Sequence, residues 1–387
     1  MKCYVSCGRR YLVDFQRGYC FVEALMDFTE TLLARNIKKR RSNIEEAVKK
    51  SMKKNCEYLV NEGEISMNEV VNAVLIRDFR KSDLQNVLDL AQLCFAKEFE
   101  LTGWDPEHVK KMVDQMFGIV GRTFLTLSRL FQMEPIKFFV AEVNQRVVGT
   151  TIIQRQGKVG YISTVMVHPN YRRKGIARKL MTNALEYIRK KRMKRAVLHV
   201  ESTNAPAKRL YTELDFKEFE KIAHLAGKVD SSFKPVEVEG VQIRSFQKKD
   251  TDAAYELIRS SEDPKHLEIF DFKKKDLKTP FVNRVFRFFT ENKIVALHDN
   301  GIVGYSQAIY TTPNETGQIA NIQVCPELRS RGIEEMLIHS GMNEIRKIGT
   351  QKVLGIASLK RLELIEAMER LGFEKRFEVE AMVLELS

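Results

Sequence analysis

The feature that most limits how this chain folds is a repeat at constant spacing. Pro169, Arg172, Gly175 and Phe216 each have an identical residue 157 positions later, at Pro326, Arg329, Gly332 and Phe373. One offset that serves without gaps from a strand end to a final strand marks an internal duplication, a tandem pair of the same fold. The elements around the first member follow from pattern. Val165, Met166 and Val167 end an apolar run from Tyr161 that reads as a buried strand, and Pro169 stops its ladder. The basic turn Arg172-Arg173-Lys174-Gly175 then opens a helix that continues through Ile176 and Ala177 to Arg189.

The rest of the pattern is an α/β alternation. Val74 to Arg77 reads as a short strand, Ser82 to Phe95 and Pro106 to Phe131 as helices, and Phe138 to Val143 with Val147 to Ile153 as a hairpin. Ala196 to Val200 is a strand, Pro206 to Leu214 a helix, and a last strand starts at Phe216. Capping and stripe patterns make residues 1–72 a helical extension. Residues 73–227 are the first copy. Lys228 to Val236, with two serines and Pro235, is a linker. Residues 236–387 are the second copy, which begins with the strand Val241 to Phe246 and takes its middle strands from Phe289 to Tyr310.

The turn before Ile176 has a definite chemistry. A helix start presents backbone N–H groups without intrahelical partners and the positive end of the helix dipole, and here three cationic side chains stand beside it. Gly175 lets backbone approach an anion where a Cβ would intrude. The place suits a phosphate, and more particularly a pyrophosphate; the alternative is a strand, a turn and a basic helix start without a ligand. A second motif lies downstream, in the segment from Leu198 to Phe216 that contains His199, Asn204, Leu210 and Tyr211.

Together, Arg172-x-x-Gly175-x-Ala177 and the segment from Asn204 through Leu210-Tyr211 to Phe216 resemble the GNAT acetyltransferase superfamily. Asp215 stands where Gly is usual, and Asp tolerates the backbone angles that end a helix better than most residues. The first copy is most similar to the branch that acetylates protein N-termini and ribosomal-protein amines. The resemblance implies two tandem GNAT folds of the α/β (α+β) class, each a mixed, mostly antiparallel sheet flanked by helices. It also implies acetyl-CoA as acyl donor. Two central strands would splay, with backbone N–H groups around Val165, Met166 and Val167 facing the thioester carbonyl. Arg172, Arg173, Lys174, Gly175, Ile176 and Ala177 would bind the pyrophosphate, and Asn204 the pantetheine arm.

Tyr211 is the candidate general acid. A phenol of pKa ~10 facing a thiol of pKa ~8.5 is uphill by roughly 2 kcal/mol, a small obstacle within a hydrogen bond. His199 and Tyr161 would hold a water that relays the amine's proton, with Glu201 and Glu142 as fallbacks; the alternative for His199 is an ordinary core residue. An α-amine of pKa ~8 is about a tenth free base at pH 7, whereas a lysine amine of pKa ~10.4 is below ~0.1%, so a weak base favours α-amines or small amines of low pKa. The second copy differs at the matching positions. Glu334 replaces Ala177, Arg361 replaces Asn204 and Met368 replaces Tyr211, which reads as a silent scaffold.

Composition narrows the setting. The net charge of +13, from 64 Lys and Arg against 51 Asp and Glu, draws polyanions in general without choosing among them. The clusters around Lys38–Arg41 and Lys53-Lys54 lack interleaved aromatics, which favours a solvated face over nucleic-acid contact. No stretch approaches ~20 uncharged apolar residues, and the charged start is no secretory signal. Six cysteines make no disulfide framework, and Cys3, Cys7 and Cys20 lack a fourth ligand, so a reduced cytoplasmic protein without a metal is expected. The acceptor is a protein or peptide amine, or alternatively a small molecule such as an antibiotic, polyamine or metabolite. A non-catalytic acyl-CoA-binding regulator or scaffold is the remaining reading.

Overall fold

The computed structural model describes residues 74–102, 136–229, 236–277, 290–310 and 316–386. The helical extension over 1–72, the helix over 106–131 and most of the linker lie outside the described residues. Twelve strands within them form one continuous sheet. In the first half these are β1 (Leu75–Asp78), β2 (Ile136–Val143), β3 (Arg146–Gln156), β4 (Val159–Val167), β5 (Arg195–Glu201) and β6 (Lys217–Lys228). In the second half they are β7 (Val241–Ser245), β8 (Thr290–His298), β9 (Gly301–Tyr310), β10 (Thr316–Val324), β11 (Lys352–Ser358) and β12 (Glu374–Glu385). The helices are α1 (Leu84–Thr102), α2 (Ile176–Lys190) and α3 (Ala205–Thr212), then α4 (Thr251–Ser261), α5 (Pro264–Phe270), α6 (Ile333–Arg346) and α7 (Leu362–Arg370).

The strand order is β1-β2-β3-β4-β5-β12-β6-β11-β10-β9-β8-β7. The final strands are exchanged. β12, from the second half, lies between β5 and β6 of the first, and β6 pairs with β11 of the second. Neighbouring pairs are antiparallel except β4 with β5 and β10 with β11. The cores show the same exchange. Met382 of β12 packs with the first-half core, whereas Ala223 and Leu225 of β6 pack with the second-half core.

Each core forms for an evident reason. In α2, Ile176, Leu180, Met181, Ala184, Leu185 and Ile188 are buried. That is the three-and-four spacing of an apolar stripe, and it faces Val165, Val167, Leu198 and Val200 of the sheet. The duplication is visible in hydrogen bonds. Arg77 and Asp83 pair at 2.6 Å, as do Arg244 and Asp250, and in both halves the aspartate also accepts from the backbone N–H three residues before it. Asp215 and Gly372 occupy left-handed conformations at matching helix ends. The offset of 157 holds from the left-handed Thr164 and Asn321 to the last strands. It is 155 at the bulges of the preceding hairpins and 167 at the Arg–Asp braces, so insertions separate the copies upstream.

Candidate functional site

The pairing of β4 with β5 runs from Val159 opposite Arg195 to Ile162 opposite Leu198 and stops there. Beyond that point Ser163 to Val167 and His199 to Glu201 diverge. The cause is local. Thr164 takes a left-handed φ of 55°, the β3–β4 ladder shifts register between Thr150 and Ile152, and the bulge bends β4 away from β5.

β4 leads directly into the basic turn. His168 precedes a single turn of 3₁₀ helix at Pro169–Tyr171, and its Nδ1 accepts from the Asn170 backbone N–H. Arg173 and Gly175 both have left-handed φ values, of 65° and 71°, and Gly175 caps α2. Two such residues separated by one other curl the backbone so that successive N–H groups point into a concavity, an anion-binding shape. A Cβ on Gly175 would meet nothing within 4 Å, so glycine serves the backbone angle here and the space before it is open.

That space is a cleft of about 550 Å³. One wall is Val167, Tyr171, Arg172, Arg173 and the first turn of α2, and the other is Pro206, Arg209, Leu210 and Glu213. The volume falls within the range of small-ligand pockets. Arg178 and Arg209 both pair with Glu213 across its far wall and hold that carboxyl below its usual range, Arg209 most strongly. Lys174 lies 5.4 Å from the Tyr171 ring. Arg172 has a second task. Its Nε donates to the Val167 carbonyl at 3.1 Å and an Nη lies 3.7 Å from Cys94 Sγ, so it ties the turn to the strand end and to α1.

Val165 and Val167 face the core beneath α2, while Met166 faces α1 with Leu90, Cys94 and Phe95. Asn204 caps α3, its Oδ1 accepting from the Ala207 N–H at 3.3 Å. Tyr211 is fully buried on the α2 side of the sheet, with its ring centroid 6.1 Å from that of Phe216. Tyr161 and His199 lie on the opposite face, edge to face at 5.4 Å. The structure therefore brings His199 together with Tyr161 at the mouth of the splay, and sets Tyr211 across the sheet from them.

His199 is only 6% exposed, and its Nδ1 has no hydrogen-bond partner. Burial, with smaller contributions from His224 and His266, pushes its pKa down to about 3. It is a neutral imidazole near pH 7. It can pass a proton along; it cannot keep one. Nothing local in the sequence signals this burial, because the neighbours that enclose His199 include β12 and α5 of the second half. Long-range packing likewise hides the contact of Cys94 with Arg172 and the pair formed by Glu220 and His266 from any local motif.

The equivalent turn of the second half is built alike and blocked. Ser330 and Gly332 repeat the left-handed pair, and Arg329 again reaches a strand-end carbonyl, that of Val324. A Cβ on Gly332 would lie 2.9 Å from Val236 and 3.2 Å from Val238, so the segment between the halves covers this turn. Glu334, 1% exposed, puts a carboxylate in the first turn of α6, and neither oxygen has a hydrogen-bond partner. Burial raises its pKa, against the opposing attraction of Arg361. Arg361 and Arg329 are drawn to Glu363.

Residues 104–216 match the model of the Acetyltransferase (GNAT) family. Over 86 residues the chain is 38% identical to an uncharacterized N-acetyltransferase of Archaeoglobus fulgidus. The match covers 20% of this chain and 58% of the relative, so the chain spans a little over half of that protein's length. Among solved structures, a tandem GNAT protein from the clavulanic acid biosynthesis pathway superposes with a TM-score of 0.57 at 18% identity, over 81% of this chain and 98% of that one. A GCN5-related N-acetyltransferase from Sphaerobacter thermophilus gives 0.57 at 17% identity, over 81% and 96%. A putative acetyltransferase from Pyrococcus horikoshii gives 0.51 at 14% identity, over 84% and 92%. At these identities the likeness is one of fold. The described residues thus have the fold of a tandem GNAT protein, and residues 104–216 carry the sequence pattern of the GNAT acetyltransferase family.

Proposed function

We propose that the first half is an acetyl-CoA-dependent N-acetyltransferase acting on a primary amine. The observation that carries this reading is the open cleft at the α2 start, whose wall includes Val167 at the end of β4, the strand that parts from β5 beyond Ile162. Acetyl-CoA, when bound, supplies a thioester whose carbonyl carbon accepts a nitrogen nucleophile. The chain's own groups account for the remaining tasks. The left-handed turn at Arg173 and Gly175, with Lys174, binds the diphosphate, and Arg172 keeps the turn fixed to β4. Freed strand N–H groups near Met166 and Val167 polarise the carbonyl. Tyr211, buried on α3 behind the cleft wall formed by Pro206, Arg209 and Leu210, is the group we assign to protonate the departing sulfur.

The acceptor we favour is a protein or peptide N-terminus, or a side-chain amine, in keeping with the branch that the first copy resembles. A small amine is the second reading. A cytoplasmic setting is part of this proposal. The test is a thiol-release assay with acetyl-CoA against a panel of peptides, polyamines and aminoglycosides. Turnover confined to one class identifies the acceptor. Wild-type protein that binds acetyl-CoA and releases no thiol with any amine would instead support the regulator reading.

A further inference from the structure

The sheet row that contains His199 continues across the exchanged strands. His199 pairs with Ala381 of β12, and Ala381 pairs with Glu220 of β6. Residues directly opposite in antiparallel strands share a face. His199 and Glu220 therefore stand on one face, two strand spacings or about 10 Å apart. The strand position between them is Ala381, which carries no more than a methyl group. Glu220 is 7% exposed, and its Oε2 lies 2.9 Å from Nδ1 of His266 on α5. α5 belongs to the second half and is fastened over this face at both ends. Arg195 of β5 donates to the Glu268 carbonyl at 2.6 Å and to its carboxylate at 2.8 Å, and Lys360 holds the helix cap Asp263 at 2.6 Å. Phe219 and Phe270 flank the imidazole, with centroids 6.3 and 4.7 Å away. The His266 side chain keeps 22% of its surface exposed, so water reaches it.

This arrangement supplies what His199 lacks. A buried neutral imidazole relays a proton only if something beyond it retains that proton. A histidine whose Nδ1–H is held by a carboxylate does so, because the carboxylate fixes the tautomer, leaves Nε2 as the accepting atom and stabilises the imidazolium. His199 stands one residue past the end of the β4–β5 pairing and in the same row, and its buried Nδ1 has no hydrogen-bond partner, so the relay starts there. We infer that His266, oriented by Glu220, is the terminal proton acceptor for the amine, so that the second half completes the acceptor side of the first half's site. The inference rests on the acetyltransferase reading. The amine nitrogen forms a bond to the acetyl carbon as the carbon–sulfur bond breaks. Sulfur leaves with its electron pair and takes a proton from Tyr211. The proton shed by nitrogen passes through water and His199 to Nε2 of His266, and solvent restores both groups.

The experiment uses the full chain, acetyl-CoA and the best amine of the panel. His266→Gln and Glu220→Gln should each lower kcat by roughly 100-fold, the scale of a lost general base, with the affinity for CoA unchanged. Added imidazole should restore part of the activity of His266→Ala and none of that of Tyr211→Phe, which a merely structural role for His266 would not produce. A His266→Gln enzyme within twofold of wild-type kcat overturns the inference and leaves the acetyltransferase reading intact. So does a loss in His266→Ala that imidazole fails to relieve. Absence of thiol release by the wild type with every amine overturns both.

Discussion

Burial beneath the exchanged strands deprives His199 of its charge, and this has a measurable consequence. The unfolded chain takes up a proton at His199 below its usual pKa of about 6.5, whereas the folded protein does so only near 3. Stability contributed by the neutral ring is therefore complete above about pH 6.5 and declines as pH falls toward 3, by up to about 1.4 kcal/mol per unit. His199→Gln should flatten the fall of Tm between pH 6.5 and 4; a variant with an unchanged slope would refute the assignment. Glu334 behaves in the opposite sense. Its raised pKa means that stability is lost as pH rises above the usual carboxyl range, while the unfolded chain ionises freely. Glu334→Gln should raise Tm at pH 7 by about 2–4 °C and do nothing at pH 4, as read by thermal melts. Tyr211→Phe keeps the buried ring and removes only the hydroxyl, so it should fold normally and lose about 10- to 100-fold in kcat in the thiol-release assay.

At the scale of elements, each half forms five strands from its own chain and receives the sixth from the other. Residues 74–229 alone would leave β5 and β6 without the strand that separates them. Open ladders of this kind seek partners, and the partner at hand is a second copy whose β6 can fill the gap. Expressed alone, this fragment should be a dimer or larger by light scattering, and a folded monomer would contradict the exchange. The elements themselves were legible. The stripe of Ile176–Lys190 is a local pattern, and the strand, Pro169, basic turn and helix read correctly because each is set within a few residues. The neighbours were not legible. β6 and β12 are related by the same repeat, and nothing in either states which of two similar gaps it fills. Hence the sequence points to Gly175 and Tyr211, each of which belongs to a local motif, and is silent on Glu220 and His266, which meet only through the exchange.

For the whole molecule, two similar turns have unequal fates. The first opens onto a cleft, and the second is covered by Val236 and Val238 and holds its own carboxylate. One CoA should bind per chain by calorimetry. Lys174→Glu should weaken that binding at least about 10-fold through loss of a phosphate contact, and Arg331→Glu should leave it unaltered. A stoichiometry of two would show that the second turn opens in solution. The exchange of strands also sets an order of events during synthesis. Arg195 bonds to Glu385, a partner 190 residues away. While the ribosome is still making the second half, the first must wait with a slot in its sheet between β5 and β6. The sheet then closes in one late step, when residues 374–385 become available and enter between those two strands, like a bolt shot home after both leaves of a door are hung.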